Sequence, residues 1–568
     1  MKVLLIQPPI QDFYDTDVRL QPIGLASIKA ALSRHHPDVQ TIIRDFHHGW
    51  GRKTVPVPRE LAYLRDYYAH ADRSPFSTFH AYYHFGADFE TIEREAAREK
   101  PDWVGISSLF SPYYREALRT AEAVRRACPG AKILLGGSHV SAMPEQVLAH
   151  PAVDFIIRGE GERPAVEFVR AWKEGLGWSG VPGLGFKEKG RMIFNETESN
   201  FEMEELPVPD LADFDPKHYL FEKKPMSFII TSRSCPHRCT FCSVHKTFGF
   251  RYRRHRAERV IEELLQRYRE GYRVFDFEDD NLTFYKDEMK ELCRRLTACF
   301  PEKDVQFLAM NGISYLSLDE ELLELMKRAG FTHLNLALVT SDTAVRETTK
   351  RPHTVKKYLE TVTQASRLGF KIVSYQILGL PSESLDSMIQ TLVFAAAQPV
   401  LLGASMFYLT PNSPIAAHFP PPSERDIFLS RLTAMAVETG EFQREDIFTL
   451  FVTTRILNFL KGLRFSEESV TLEEALEAAL KMDKRSAAGA EILHRLLAGQ
   501  GHWVWTEKGF LPHSKFRPEV FLKVWNRLEW IMTQQGRRIL IQGAAGTDSV
   551  FAQPNPTAVC AGENSHEK

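Results

Sequence analysis

Three cysteines fall within eight residues, in Cys235-Pro236-His237-Arg238-Cys239-Thr240-Phe241-Cys242, with the spacing C-x3-C-x2-C. The segment directly follows a strand-forming run, Ser227-Phe228-Ile229-Ile230, and so reads as a loop at a strand's carboxyl end. Three thiolates on one short loop can converge on an iron–sulfur cubane and leave its fourth iron open to a small molecule. Zinc is the competing occupant. It normally takes four protein ligands, and His237 or His245 would have to complete the set. Seven cysteines in 568 residues make no disulfide framework, and the other four, Cys128, Cys293, Cys299 and Cys560, are scattered. Cys293 and Cys299 read as small buried hydrophobes, and Cys560 as incidental in a polar tail.

The elements around this loop read as α/β. Short apolar strands (Val3–Ile6, Thr41–Ile43, Trp103–Ile106, Lys132–Leu135, Asp154–Ile157) alternate with helices, which predicts an N-terminal doubly wound, Rossmann-like parallel sheet over residues 1–185. In such sheets ligands sit beyond the carboxyl ends of the strands. An aromatic-rich insertion at about 50–95 has no place in this alternation. Residues 186–223, acidic and proline-bearing, read as a linker. Over 224–420 six further strand–helix units predict a partial (βα)6 barrel of TIM type. Residues 421–545 read as a mainly helical domain without strands, and 546–568 as a disordered tail. Trp503, Trp505, Trp525 and Trp530 are expected to serve core or lid packing.

The cysteine motif, with an aromatic (Phe241) before its third cysteine and a βα barrel after it, resembles the radical S-adenosylmethionine (SAM) superfamily. The resemblance covers about residues 224–415. It implies a [4Fe–4S] cluster on Cys235, Cys239 and Cys242, with SAM on the open iron and reductive cleavage to a 5′-deoxyadenosyl radical. It also implies SAM contacts from Phe241, from Glu278 and Asp280 after the second strand, and from Gly379 and Pro381 after the fifth. Arg254 or Arg256 would pair with the SAM carboxylate. The chain departs from the family at Val339-Thr340, where many relatives carry Glu-Ser; the hydroxyl of Thr340 or Ser341 is the expected replacement.

The first 185 residues resemble the cobalamin-binding domain fused ahead of the barrel in one branch of that superfamily. Ser107, Leu109, Gly136, Gly137 and Gly159, on successive strand ends, carry this resemblance and are the expected cobalamin contacts. Glycine there admits close backbone approach to a bulky ligand. The D-x-H-x-x-G cobalt-ligating motif is missing after the first strand, and His47 and His48 read as ordinary loop histidines.

The function this implies is cobalamin-dependent methylation of an unactivated carbon of a small molecule. A non-methylating cobalamin-linked radical enzyme (cyclisation, rearrangement, oxidation) and a non-catalytic sensor are the alternatives. Methylthio transfer to RNA needs a second cluster, for which the N-terminal region offers only Cys128. No acid–base pair is called for, and no catalytic side chain is singled out. A net charge of −2 gives no reason to expect nucleic-acid binding, and no run approaches the about 20 apolar residues of a membrane span. A cytoplasmic enzyme fed electrons by a flavodoxin or ferredoxin is expected.

Overall fold

The computed structural model describes residues 1–16, 21–198 and 202–541. Cys560 and the tail expected at 546–568 lie outside the described residues.

The N-terminal sheet holds five parallel strands, Lys2–Gln7, Gln40–Asp45, Trp103–Ser107, Lys132–Gly136 and Phe155–Ile157. Their spatial order is second, first, third, fourth, fifth. The first strand shows why its sequence is an unbroken apolar run: the sheet is covered on both faces. Val3 and Leu5 pack with Ile23, Leu25 and Phe168, whereas Leu4 and Ile6 pack with Ile92, Ala121 and Val124 on the other side. The order reverses between the first and third strands, which opens a crevice at their carboxyl ends.

Two antiparallel strands, Leu184–Glu188 and Arg191–Phe194, extend this sheet from its fifth strand. The stretch expected to begin a linker at 186 is therefore sheet up to Phe194. Lys189 and Gly190 join the pair with φ of 48° and 78°, the left-handed two-residue turn whose twist matches a hairpin.

The barrel strands are Lys224–Ile229, Val274–Phe277, Gln306–Leu308, His333–Val339, Lys371–Leu378 and Leu401–Met406. The first three pair in parallel, as do the last three. Single parallel bridges, Phe307–Phe331 and Ile313–Leu336, join the two sets. Helices on the outer side start where side chains cap them. Asp319 accepts from the Leu322 N–H, Thr354 from Lys357 and Ser384 from Ser387, each satisfying a backbone donor that the helix itself cannot.

The C-terminal region is built on the helices Arg444–Gly462, Leu472–Leu480, Lys484–Leu497 and Pro518–Trp525. It is not free of strands. A hairpin, Trp503–Thr506 with Gly509–Pro512, and a sheet of Ser469–Thr471, Arg538–Leu540 and Trp530–Met532 accompany the helices. Strands of three or four residues are too short to show a period of two in the sequence.

The aromatic insertion joins the two ends of the chain. The strands Arg52–Thr54 and Tyr83–Phe85 pair with each other, and the latter pairs with Ile10–Asp12. Its rings reach the C-terminal region: Tyr63 donates to the Ala434 carbonyl (2.6 Å), Tyr68 to Thr433 (2.7 Å) and Tyr67 to Glu445 (2.6 Å). Arg431, 3% exposed, closes this junction by donating to the carbonyls of Gln11 and Pro112 and to Asp12.

Beside Arg431 lies Glu116, whose carboxyl is pushed up to about 7 by burial, against the opposing pull of Arg431. A folded-state pKa raised above 4.5 contributes stability that is full below 4.5 and is lost as pH rises through about 7. The wild type should therefore lose stability relative to Glu116→Gln across that window, by roughly 1.4 kcal/mol per pH unit at the steepest. Denaturant midpoints measured through the window test this; a constant gap between the two proteins would mean the carboxyl titrates normally.

Candidate functional site

The cysteine loop leaves the first barrel strand through a short pair, Ser232–Arg233 against Arg253–Arg254. Asp279, buried at the end of the second barrel strand, anchors that exit by accepting from Thr231 N–H (3.2 Å), Thr231 Oγ1 (2.7 Å) and Ser232 Oγ. Ser234 then takes a left-handed φ of 76°. It is held there by its N–H on Asp280 (3.1 Å) and its hydroxyl on the Gly249 carbonyl (2.7 Å). This turn throws the chain into Cys235.

Two donors point at the sulfurs. Asn281 Nδ2 lies 3.5 Å from Cys235 Sγ, and Arg351 Nη1 lies 3.9 Å from Cys239 Sγ. Two backbone bonds hold the middle of the loop: Thr240 N–H on Thr349 (3.0 Å) and Ile415 N–H on Thr240 (2.8 Å). All three cysteines are free thiols, and burial raises Cys235 and pushes Cys242 up to about 11. Such thiols ionise on taking a metal.

The set fits a cubane better than zinc. His245 is stacked on Phe250, with ring centroids 4.7 Å apart, and His237 packs against His353 and Phe284. Among the described residues no three His, Cys, Asp or Glu gather as on one ion, whereas a cubane holds its thiolates further apart.

The expected SAM contacts divide. Phe241 packs at the mouth of the strands, against the cluster formed by Val339, Val345, Leu380, Phe407 and Ile415. Asp280 sits under the loop, its carboxyl pushed up to about 7 by burial and by Asp279. Glu278 is half-buried and continues the strand ladder through its N–H on Ile229 (2.9 Å). Arg254 keeps Nη1 buried with no partner among the described residues, a donor suited to a carboxylate; Arg256 is exposed.

Thr340 is a correction. It is 0% exposed, and its hydroxyl is committed to Glu383 (3.1 Å) and Thr391 (3.2 Å), on the helix side of the strands. Beside it Val339 adopts φ 69° at a register shift in the strand pairing, an outlier for a β-branched residue. Val339 packs beside Phe241, so strand alternation puts Thr340 on the opposite face, away from the cysteine loop. At Gly379 the close approach comes from the C-terminal region: a Cβ there would stand 3.1 Å from Ile447. Pro381 is half-buried.

The B12-type strand ends lie at the crevice. Ser107 ends the third strand, and Ser108 N–H donates to the Gly136 carbonyl (2.7 Å). Gly137 has φ 116°, and a Cβ on it would come within 2.6 Å of the Ser108 carbonyl. The glycine thus lets the third and fourth loops touch. Ser108 Oγ is buried without a partner among the described residues. Leu109 and Phe110 are 37% and 43% exposed beside it. An orphaned hydroxyl under bare apolar side chains fits a large, mostly apolar ligand with polar edges. His48 is paired to Asp45 (2.9 Å), which also accepts from Tyr219 (2.6 Å).

Gly159 faces the barrel instead; a Cβ there would stand 3.5 Å from the Thr247 carbonyl. The residues after it form a clamp. Glu160 accepts from Arg233 (2.5 Å) and Arg253 (2.5 Å), and Glu162 accepts from Arg233 through both oxygens. All four side chains are buried. Thr247 Oγ1 also meets Ser138 Oγ at 3.2 Å. The crevice and the cysteine loop are thus in direct contact.

Residues 16–169 match the B12 binding domain, and residues 229–395 match the radical SAM superfamily. The chain belongs to the radical SAM superfamily and carries a B12-binding domain ahead of its barrel. The radical SAM chain is 29% identical over 313 residues to an uncharacterised methyltransferase of Pyrococcus horikoshii, spanning 54% of its own length and 66% of that protein, just under two thirds. It is 25% identical to the cytidylyl-2-hydroxyethylphosphonate methyltransferase of Streptomyces wedmorensis, over 72% of its own length and 79% of that protein. Its fold resembles that of the radical SAM methyltransferase TsrM of Kitasatospora setae, solved with cobalamin and a [4Fe–4S] cluster. The TM-score is 0.57 at 18% identity, covering 73% of this chain and 77% of that one.

Sequence reasoning missed Asn281 and Arg351 as partners of the sulfurs, and the pairing of Arg233 with Glu160 and Glu162. A signal existed for the last: Arg233 lies two residues before Cys235, and both glutamates follow Gly159 within three residues.

Arg233→Met would leave two buried carboxylates facing Arg253 alone. The variant should lose about 3–5 kcal/mol and release bound cobalamin, as read by chemical denaturation and by cobalamin retained after gel filtration. Unchanged stability would mean the clamp is neutral.

Proposed function

We propose that the chain is a cobalamin-dependent radical methyltransferase that places a methyl group on an unactivated carbon of a small molecule. The observation carrying this reading is the direct packing of the helix after Cys242, Val244–Phe248, on the helix after Gly137, Ser138–Ala142, which faces a B12-type crevice with a cluster loop. The names of the Pyrococcus and Streptomyces relatives agree with it.

When bound, the cluster and SAM supply a 5′-deoxyadenosyl radical, and cobalamin supplies a transferable methyl group. The protein's part is placement and exclusion of water. Cys235, Cys239 and Cys242 would hold the cluster, with Asn281 and Arg351 directing N–H groups at two of the sulfurs. Arg254 and Asp280 would orient the methionine end of SAM, and Phe241 would pack beside it. Ser108, Leu109, Gly136 and Gly137 would seat cobalamin. Tyr408, beyond the last barrel strand, has its phenol pushed up by burial around its oxygen and then by nearby Cys242; it would wall the space between the cofactors. An external one-electron carrier would reduce the cluster, and a reducing compartment such as the cytoplasm suits such a centre.

Anaerobically reconstituted protein given dithionite, SAM and hydroxocobalamin should form 5′-deoxyadenosine and retain cobalamin, and Cys239→Ala should abolish the 5′-deoxyadenosine. Methyl transfer predicts two SAM consumed per product; one per product would move the reading to cyclisation, rearrangement or oxidation. Neither 5′-deoxyadenosine nor cobalamin from a fully loaded cluster would leave a sensor.

A further inference from the structure

The cysteine loop has an outer side that the reading above does not use. Phe250, eight residues after Cys242, is 49% exposed, yet it is not a loose surface ring. His245 stacks on it with centroids 4.7 Å apart and planes 12° from parallel, and the Arg238 guanidinium lies 4.9 Å from its centroid. Arg238 and Lys246 are both exposed, and no ion pair joins either to a carboxylate among the described residues. Arg251 follows Phe250 directly and is paired with Glu202. An ordered, bare aromatic ring rimmed by cations is therefore mounted on the very loop that carries the cluster ligands, Arg238 standing between Cys235 and Cys239 in sequence.

We propose that Phe250, Arg238 and Lys246 form the docking surface for a small acidic one-electron carrier protein that reduces the cluster. The proposal rests on the reading that this loop holds a [4Fe–4S] cluster. Three observations choose the occupant. The cations are complementary to an acidic partner, and complementary charge speeds encounter more than it tightens binding, which suits a carrier that must arrive and leave. The exposed ring gives the small apolar centre that a transient interface requires. The patch also shares its backbone with the cluster ligands, so a docked carrier has a short path to the iron. One electron leaves the carrier, which is oxidised, and enters the cluster, which is reduced; no bond or proton is exchanged. A nucleic acid fits poorly, since two unpaired cations give no track for a phosphate backbone.

The test compares two reductants on the loaded holoenzyme. Photoreduced flavodoxin must dock, whereas dithionite does not. Cluster reduction is followed by bleaching of its visible absorbance and turnover by 5′-deoxyadenosine, for wild type, Lys246→Glu, Arg238→Glu and Phe250→Ala. The charge reversals should slow flavodoxin-driven reduction about tenfold at low ionic strength, with the gap closing as salt is added, while dithionite-driven rates and cobalamin content match wild type. Lys246→Glu carries the weight if Arg238→Glu, next to Cys239, disturbs the cluster itself. Flavodoxin rates unchanged in Lys246→Glu and Phe250→Ala, or an equal fall with both reductants, would overturn the proposal. So would a loss of cobalamin, which would assign the patch to the cofactor. Failure of wild type to react even with dithionite would sink the cluster reading first and this proposal with it.

Discussion

Two carboxylates and two guanidinium groups share a dry interface between the B12-type crevice and the cysteine loop, and the geometry of both sites depends on them. Glu160 bridges Arg233 and Arg253, and Glu162 takes the other side of Arg233. Taking four charges out of water is expensive, and such a cluster is tolerable only when each charge meets its opposite with good hydrogen bonds. That condition makes it selective. An apolar interface of equal area could slide by several ångströms at little cost, but a shift here would strand a buried charge. Burial alone would push Glu162 up, yet Arg233 outweighs it and holds the carboxyl below its ordinary range, so Glu162 stays ionised at neutral pH. Because Arg233 lies two residues before Cys235 and Glu160 lies one after Gly159, locking the pair fixes the spacing between the two sites.

Strain is placed where that spacing is delivered. Ser234 is left-handed between the clamp and Cys235, and Val339 is left-handed at the end of the fourth barrel strand. Conformations of this kind cost about 1–3 kcal/mol each and persist only where surrounding contacts over-determine them. Ser234 has such contacts in Asp280 and Gly249. At Val339 the surrounding contacts are the apolar cluster with Leu380, Phe407 and Phe241, and the next residue, Thr340, enters the buried group of Glu383, Ser387 and Thr391 on the other face. Burial pushes Glu383 up to about 8, so it stands there as a neutral acid. A carboxyl is thus present near the fourth strand after all, but it faces the outer helix and arrives from the following loop.

These particulars show what was legible and what was not. The cysteine loop and the six barrel strands could be read because each is local: a spacing, an apolar run. The side that Thr340 faces was legible as well, since it follows Leu334, Leu336 and Leu338 on the helix side of the strand, opposite Val339 beside Phe241; the expected SAM contact came from the family pattern instead. Asn281 and Arg351 reach the sulfurs across 46 and 112 residues of sequence, and pairings that remote leave no periodic trace. The hairpin at Leu184–Phe194 was legible in principle, through Lys189-Gly190 between alternating apolar residues, but its charged composition reads first as linker. Short strands in the C-terminal region carry too few residues for any pattern.

The insertion and the C-terminal region complete the argument, because a radical site needs walls as well as spacing. Phe13, Tyr68, Phe79 and Phe451 form one aromatic core shared between the N-terminal sheet's insertion and the helix Arg444–Gly462. Arg431 pins that helix's approach to Asp12, which sits five residues beyond the first strand, at the mouth of the crevice. The same C-terminal helix presses Ile447 onto Gly379 at the fifth barrel strand. The C-terminal region therefore touches the rim of both sites, and its seat depends on a glycine with no Cβ and on one buried guanidinium. Any change in the lining of this region must keep those two contacts. With both contacts in place, differences in the lining are left to side chains on a fixed frame rather than to movements of the frame itself.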